Sequence, residues 1–315
     1  MPIYNDTVTL PTLSIIIPTR ERAQILRRCL EHIAKQTVRE QLEVIVVIDG
    51  DDPKTAEMLS SLRWSFPLTC FAIPKSQQGV ARNRGVAHAR GDIILFIGDD
   101  IFLAPDACEV HVRTHARCQV SGVRCQVQIP NDLRREKLEA ESWKLKTTLG
   151  FTTWDPVMVI TPVMHWLEET GWQFGYSHIA EYARKFLPRD SQHRFTYTSH
   201  ISLPRAVAQD IPFREDVTLY GWEDVEWGIR LRDASIPLFY EPRARALHHH
   251  PLTVEDSLKR METLGRSAQA FAKLHPSFDR VPHGGKRLLY HLLALLPTLH
   301  GKHAKAFLRG LKGKK

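Results

Sequence analysis

The sequence contains no G-x-G-x-x-G and no G-x-x-x-x-G-K-[ST], which counts against a dinucleotide fold of the usual kind and against a P-loop. Its five cysteines (Cys29, Cys70, Cys108, Cys118 and Cys125) are scattered and form no C-x-x-C pair, so neither a disulfide framework nor a zinc site is indicated. The longest apolar run, Leu288 to Leu299, is broken by His291 and Pro297 and falls short of the ~20 residues that span a bilayer. The amino end carries Asp6 and no basic segment ahead of an apolar one, unlike a secretory signal. These absences predict a chain of a reducing, cytoplasmic compartment. No Pro/Gly/Ser-rich linker and no repeat divides the 315 residues, and 43% hydrophobic with 25% charged residues excludes a disordered or fibrous chain.

Acids are missing from one stretch. The chain holds 43 Lys+Arg against 35 Asp+Glu, a net charge of +8. The last 32 residues, Gly284 to Lys315, carry eight of the bases and no acid, which leaves the rest neutral. A nucleic-acid reader more often spreads its positive stripe across the folded body, so no nucleic-acid partner is expected. A short basic amphipathic terminus suits the anionic surface of a membrane, here through residues 284–315 on the inner face. Packing of Leu288, Leu292 and Leu295 back on the body is the alternative.

The first hundred residues alternate strand and helix signals. Apolar, β-branched runs predict strands at 13–18, 42–48, 68–73 and 92–97, with helices at 21–36, at 54–62 and after Gly79. This order predicts an α/β fold with a mostly parallel sheet flanked by helices, with ligands at the carboxyl ends of the strands. Farther on, helices are expected at 132–149 and 161–170, a strand at 195–203, a helix opening at Glu223, a strand at 237–240 and a long helix at 254–275.

The strand ends carry Pro18-Thr19-Arg20-Glu21, Asp49-Gly50-Asp51-Asp52 and Gly98-Asp99-Asp100. That rim is acidic. It can hold a diphosphate if Mg²⁺ or Mn²⁺ sits between, because these hard cations bridge carboxylate to phosphate oxygens.

The segments LSIIIPTR (13–20), EVIVVID (43–49), GVARNRG (79–85), GDIILFIGDD (91–100), GWEDVEWGIRL (221–231) and P-x-A-x-A-x-H (242–248) follow one another as in glycosyltransferase family 2. The resemblance covers residues 12 to 275, and it is the order and spacing of the motifs that make it specific. It implies the GT-A (Rossmann-like) fold. Residues 12–118 would form the donor half, 119–250 the acceptor half, 251–275 a closing helix and 276–315 a basic helical extension. The implied activity is transfer, with inversion, of a sugar from a nucleotide-diphosphate sugar, by analogy UDP-linked, to an acceptor hydroxyl. The acceptor would be a glycan or lipid-linked, in polysaccharide, glycan or glycolipid synthesis. A nucleotide-sugar-binding protein without turnover is one alternative, and a basic nucleic-acid or membrane interaction module another.

The resemblance also implies site residues. Asp49 would meet the nucleobase, although Asp49-Gly50-Asp51-Asp52 is also a strong turn sequence. Pro18, Thr19 and Glu21 share the strand-one rim, with Thr19 equally readable as a helix cap. Arg82 would face the diphosphate from a helix start. Gly98-Asp99-Asp100 matches the family's Asp-x-Asp metal motif with glycine for the first acid, so Asp99 is expected at the donor and Asp100 at Mn²⁺ or Mg²⁺. His248 would complete that shell; in an extended segment His250 shares its face and His249 points away. Asp224 would be the general base, with Glu223 the fallback, although acids in a first helical turn also serve the helix dipole. His200, where relatives often carry asparagine, would line the donor or acceptor pocket.

Overall fold

The structure is a computed structural model that describes residues 12–120, 146–216 and 220–313. Its sheet runs β3 (Leu68–Ile73), β2 (Leu42–Asp49), β1 (Leu13–Thr19), β4 (Ile93–Ile97), β8 (His200–Pro204), β6 (Thr147–Trp154), β9 (Leu238–His248), β5 (Ile101–Leu103), and β7 (Lys185–Phe186) also pairs with β9. The first four are mutually parallel, with Leu13 opposite both Leu42 and Ile93. Strand β8 runs antiparallel to β4 and β6, whereas β6 and β9 are parallel.

Continuous apolar runs are required here because helices cover both faces. Alternation along β1 and β2 sends Ile15, Ile17, Val44 and Val46 to one face and Ile16, Ile45 and Val47 to the other. Helix α1 (Ala23–Ile33) closes the first face with Leu26, Cys29, Leu30 and Ile33, at helical spacing. Helix α3 (Gln78–His88) closes the second with Ala81 and Val86. Helix α2 (Pro53–Ser61) starts at Asp52, whose carboxylate accepts from the Thr55 backbone at 3.1 Å.

The placement of β5 matters most for the site. The chain leaves β4 through Gly98-Asp99-Asp100 and enters β5 on the far edge of the sheet, where Ile101 pairs with His248. The His249 amide donates to the Asp100 carbonyl at 2.8 Å. Residues 150 positions apart in sequence are thereby fixed side by side.

Four expected elements differ. The helix expected at 132–149 falls on residues outside those described up to 145, and Thr147 to Leu149 open strand β6 instead; the threonines at 147, 148, 152 and 153 favour a pleated strand. The strand expected from Phe195 begins only at His200, after a short 3₁₀ turn at Gln192–Phe195. Gln192 anchors that turn by donating to the Ile236 carbonyl at 2.8 Å. Strand β9 continues past Tyr240 to His248, across an irregularity in which Gly150 faces Glu241 and Phe151 faces Arg245. The helix α1 is also shorter than expected, since Glu21 takes a left-handed conformation (φ 55°) ahead of it.

Helix α4 (Ala107–Val120) follows β5, and α5 (Pro162–Thr170) and α6 (Arg205–Asp210) follow β6 and β8. Helix α7 (Glu223–Asp233) buries Val225 and Ile229 against α8 (Val254–Leu274). The chain ends in α9 (Gly284–Leu293) and α10 (Leu299–Lys312). The two parts of this tail behave differently. Helix α10 lies so close on α8 that a Cβ at Gly310 would stand 2.0 Å from the Glu262 carbonyl, and one at Gly265 2.2 Å from that of Phe307. Only glycine permits that approach. Helix α9 leaves Leu288 and Leu292 exposed, as the turn after it leaves Leu295.

Candidate active site

Two acid pairs dominate the rim. At the first, Asp99 and Asp100 are buried together. Thr19 donates its hydroxyl to Asp99 Oδ2 at 2.8 Å, so Thr19 is not the cap of α1, whose N-cap is Arg22 without a side-chain bond. The Arg22 guanidinium lies between the pair, 2.8 Å from Asp99 Oδ1 and 2.9 Å from Asp100 Oδ2. Two histidines close the other side of Asp100 Oδ2, His248 Nε2 at 3.4 Å and His250 Nδ1 at 3.2 Å. Their rings stack with centroids 5.3 Å apart, as two residues on one face of an extended segment must. His249 points away and gives Nδ1 to Asp155 at 2.6 Å.

Burial raises both carboxyls, and their neighbours then part them. Burial and the charge of Asp100 push Asp99 up to about 7. For Asp100 burial is outweighed by the hydrogen bonds from His248 and His250 and by Arg22, which hold it well below the usual carboxylate range. Asp100, His248 and His250 offer ligand atoms that all lie within 4.8 Å of one another. One carboxylate oxygen and two imidazole nitrogens are a donor set that suits Mn²⁺, and Mg²⁺ less readily.

The second pair, Glu223 and Asp224, opens α7. Each carboxylate spends one oxygen locally, Glu223 Oε2 on the Gly221 amide at 2.9 Å and Asp224 Oδ1 on the Val225 amide at 2.8 Å. Burial and the adjacent Glu223 raise Asp224 to about 7, against the pull of Arg82 and Arg260. Arg82, 3% exposed, reaches this pair from α3 over the Phe213 ring, and its Nε and Nη1 have no hydrogen-bond partner. Burial lowers its pKa and the charges of Glu223 and Asp224 oppose that. Arg260 on α8 acts on Asp224 and on His248, and Arg280 after α8 acts on Asp224 and Tyr197. Both keep a buried Nε without a hydrogen-bond partner, that of Arg280 lying 3.6 Å from Asp279 Oδ1.

Comparison with known sequences and folds fits this geometry. Residues 14–169 match the family model described as Glycosyl transferase family 2. That stretch of the chain belongs to the family. It is 26% identical to the glycosyltransferase YfnE of Bacillus subtilis over 71% of this chain and 61% of that protein. It is also 26% identical to a validoxylamine A glucosyltransferase of Streptomyces hygroscopicus, over 86% of this chain and 63% of the relative. The chain thus spans about six-tenths of the length of these two relatives. Its fold is similar to that of S. aureus TarS 1-349 in complex with UDP-GlcNAc (TM-score 0.51, 14% identity, 95% of this chain and 89% of that one). It is also similar to the mannosyltransferase PcManGT of Pyrobaculum calidifontis in complex with GDP-Man and Mn²⁺ (TM-score 0.50, 16% identity, 97% and 76%). The fold is GT-A.

The family 2 motif at 98–100 departs from Asp-x-Asp for a local reason. A Cβ at Gly98 would stand 2.8 Å from Asp100 Oδ1, so a side chain there would crowd the Asp100 carboxylate. The remaining site residues fall in three places. Pro18 is buried in β1, and Glu21 is exposed, its amide donating to Asp52 Oδ2 at 2.7 Å. Asp49 ends β2 and accepts the Ser76 amide at 2.6 Å and its hydroxyl at 3.1 Å, so one oxygen is already engaged. A hollow of about 520 Å³ opens next to it, lined by Gly50, Asp51, Ala72 and Lys75.

His200 lies apart from both acid pairs. It is fully buried, with Nε2 3.1 Å from His111 Nε2 and Nδ1 3.2 Å from the Thr152 hydroxyl, and burial pulls it down to about 4. It pairs with Ile97 across the antiparallel β4–β8 ladder and serves the interior beneath α4. Arg22, Arg260 and Arg280 are the groups that sequence reasoning passes over. Arg22 was not separable from Arg20, which ends 3.8 Å from Asp49, without the turn at Glu21. Nothing in the local sequence marks Arg260 and Arg280, which reach the site only through the packing of α8.

Proposed function

We propose that this family 2 chain moves a sugar, with inversion, from a nucleoside diphosphate sugar of the uridine type to an acceptor hydroxyl on a glycan or lipid-linked acceptor. The single observation that carries the reading is the division of labour between the two acid pairs. One is matched with cations and the other is left with a carboxyl near neutrality.

Asp224 is the general base. A carboxylate whose pKa is about 7 takes a hydroxyl proton more readily than an ordinary aspartate and is still ionised in a useful fraction at neutral pH. With the proton going to Asp224, the acceptor oxygen attacks the anomeric carbon from the face opposite the diphosphate, whose bond to the sugar breaks. Glu223 keeps Asp224 basic by its charge. Arg82, Arg260 and Arg280 supply positive charge beside the Glu223–Asp224 pair, the kind of fixed electrostatic support that contributes most in many enzymes. Arg260, felt by both Asp224 and His248, belongs to the interval between the pairs.

Asp100, His248 and His250 would hold Mn²⁺ or Mg²⁺, which supplies Lewis-acid neutralisation of the departing diphosphate. Thr19 and Arg22 orient Asp99 and Asp100 for that task. Nucleotide sugars as donors and scattered free thiols fit a cytoplasmic setting and a role in polysaccharide, glycan or glycolipid synthesis. The solved neighbours with UDP-GlcNAc and with GDP-Man and Mn²⁺ support a nucleotide-sugar donor.

The test is turnover of nucleotide sugars by Asp224→Asn. Loss of turnover with donor binding kept is expected. Turnover at the wild-type rate would remove the base assignment.

A further inference from the structure

We propose that helix α9 is a docking surface for an anionic lipid bilayer, lying in the interface with its leucines buried among the acyl chains. Leu288, Leu289 and Leu292 lie at i, i+1 and i+4 on one face of α9, and Leu295 and Leu296 follow in the turn that ends it. All five are 48–80% exposed. Five large apolar side chains within nine residues, each about half exposed or more, are unlike the singly scattered apolar residues of an ordinary surface. The opposite face is the attached one. Tyr290 packs on Phe307 with ring centroids 5.9 Å apart, and Ala294 joins the same cluster.

Charge selects the occupant. No acid occurs from Gly284 onward, and Lys286 and Arg287 flank the leucines within α9. Lys302, Lys305 and Lys312 are exposed on the adjoining α10. Burial of a leucine face with clustered bases beside it is how interfacial helices hold anionic membranes. A second copy of the chain would set these bases against one another.

The anchor has a rigid base. Helix α10 is locked on α8 by the Gly265–Gly310 approach, so the leucine face is held at a fixed orientation. Leu299, at the start of α10, packs with Met158 and Ile160 of the segment between β6 and α5. That segment exposes Val157 and Val159, 78% and 86%, and begins at Asp155, the partner of His249 beside the metal-type cluster. A membrane at α9 thus borders the site through one short segment, which favours acceptors carried on lipid.

The test uses the full chain, without donor, and sedimentation with vesicles. Binding to phosphatidylcholine vesicles containing phosphatidylglycerol is expected, with little binding to phosphatidylcholine alone. The double variant Leu288→Asp/Leu292→Asp should lose about tenfold or more in the bound-to-free ratio, given what two buried leucines contribute. Because both side chains are exposed, its thermal midpoint should match the wild type. Lys302→Gln/Lys305→Gln should weaken binding a fewfold and flatten its salt dependence. Equal binding by the wild type and the leucine variant, or a wild-type dimer that the leucine variant splits while neither binds vesicles, would overturn the proposal. None of these outcomes touches the transferase reading, which rests on turnover.

Discussion

The pairs Asp99–Asp100 and Glu223–Asp224 are chemically alike and electrostatically opposite. Around the first, one arginine and two histidines converge within 3.4 Å of Asp100, and its carboxyl stays ionised. Around the second, no described cation reaches hydrogen-bond distance of Asp224; its arginines act from farther off, and its carboxyl rises to about 7. The neighbours, not the acids, separate a carboxyl held ionised from one raised to about 7. Similar logic divides the tail: α10 buries its apolar face and α9 exposes it.

The comparison can be broken most strongly at Asp224. Asp224→Asn should lower kcat by about 10²–10⁴, the usual contribution of a general base, measured by release of the nucleoside diphosphate. The same variant should be more stable. A carboxyl whose folded pKa is raised costs stability as pH climbs from the unfolded value of about 4 to the folded value of about 7, since the native state holds the proton more tightly. Asn cannot ionise. Thermal midpoints above about pH 7 should therefore be higher for the variant, with the gap closing toward about pH 4; equal gaps at both ends would contradict the cause given.

The wild-type pH profile of kcat/KM should rise through about pH 7 as Asp224 ionises, and Glu223→Gln should shift that rise to lower pH by removing the adjacent charge. An unmoved profile would mean that Glu223 does not set the base. On the other pair, Arg22→Gln should lower the thermal midpoint without metal and recover most of the loss in Mn²⁺, because Asp99 and Asp100 then lack their internal cation. The smallest effect is expected from His250→Ala, a loss of about tenfold in Mn²⁺ affinity by titration calorimetry, as for removal of one weaker partner of a metal site.

Much of the parallel half was legible because strands buried on both faces must be continuously apolar, and β1, β2 and β4 are. Asp100 and His248 were readable as a strand-end acid and a strand-end histidine, and alternation alone put His250 beside His248. What joins them is β5, three residues long and too short to announce itself in sequence. His200 was expected at the donor or acceptor pocket from the resemblance alone, as the place where relatives often carry asparagine. Starting at His200 and running antiparallel to β4, the strand turns that imidazole inward. The tail offered no choice between packing and exposure, since α9 and α10 are both amphipathic, and only the glycine contact on α8 decides which helix is held.

Donor binding by Asp224→Asn and Asp100→Ala, measured side by side by calorimetry with a UDP-sugar and Mn²⁺, tests the division between the two acid pairs most directly. The account predicts wild-type affinity for the first and loss of the Mn²⁺-dependent affinity for the second. Equal affinity for both variants, or Asp100→Ala binding the donor alike with and without Mn²⁺, would contradict it.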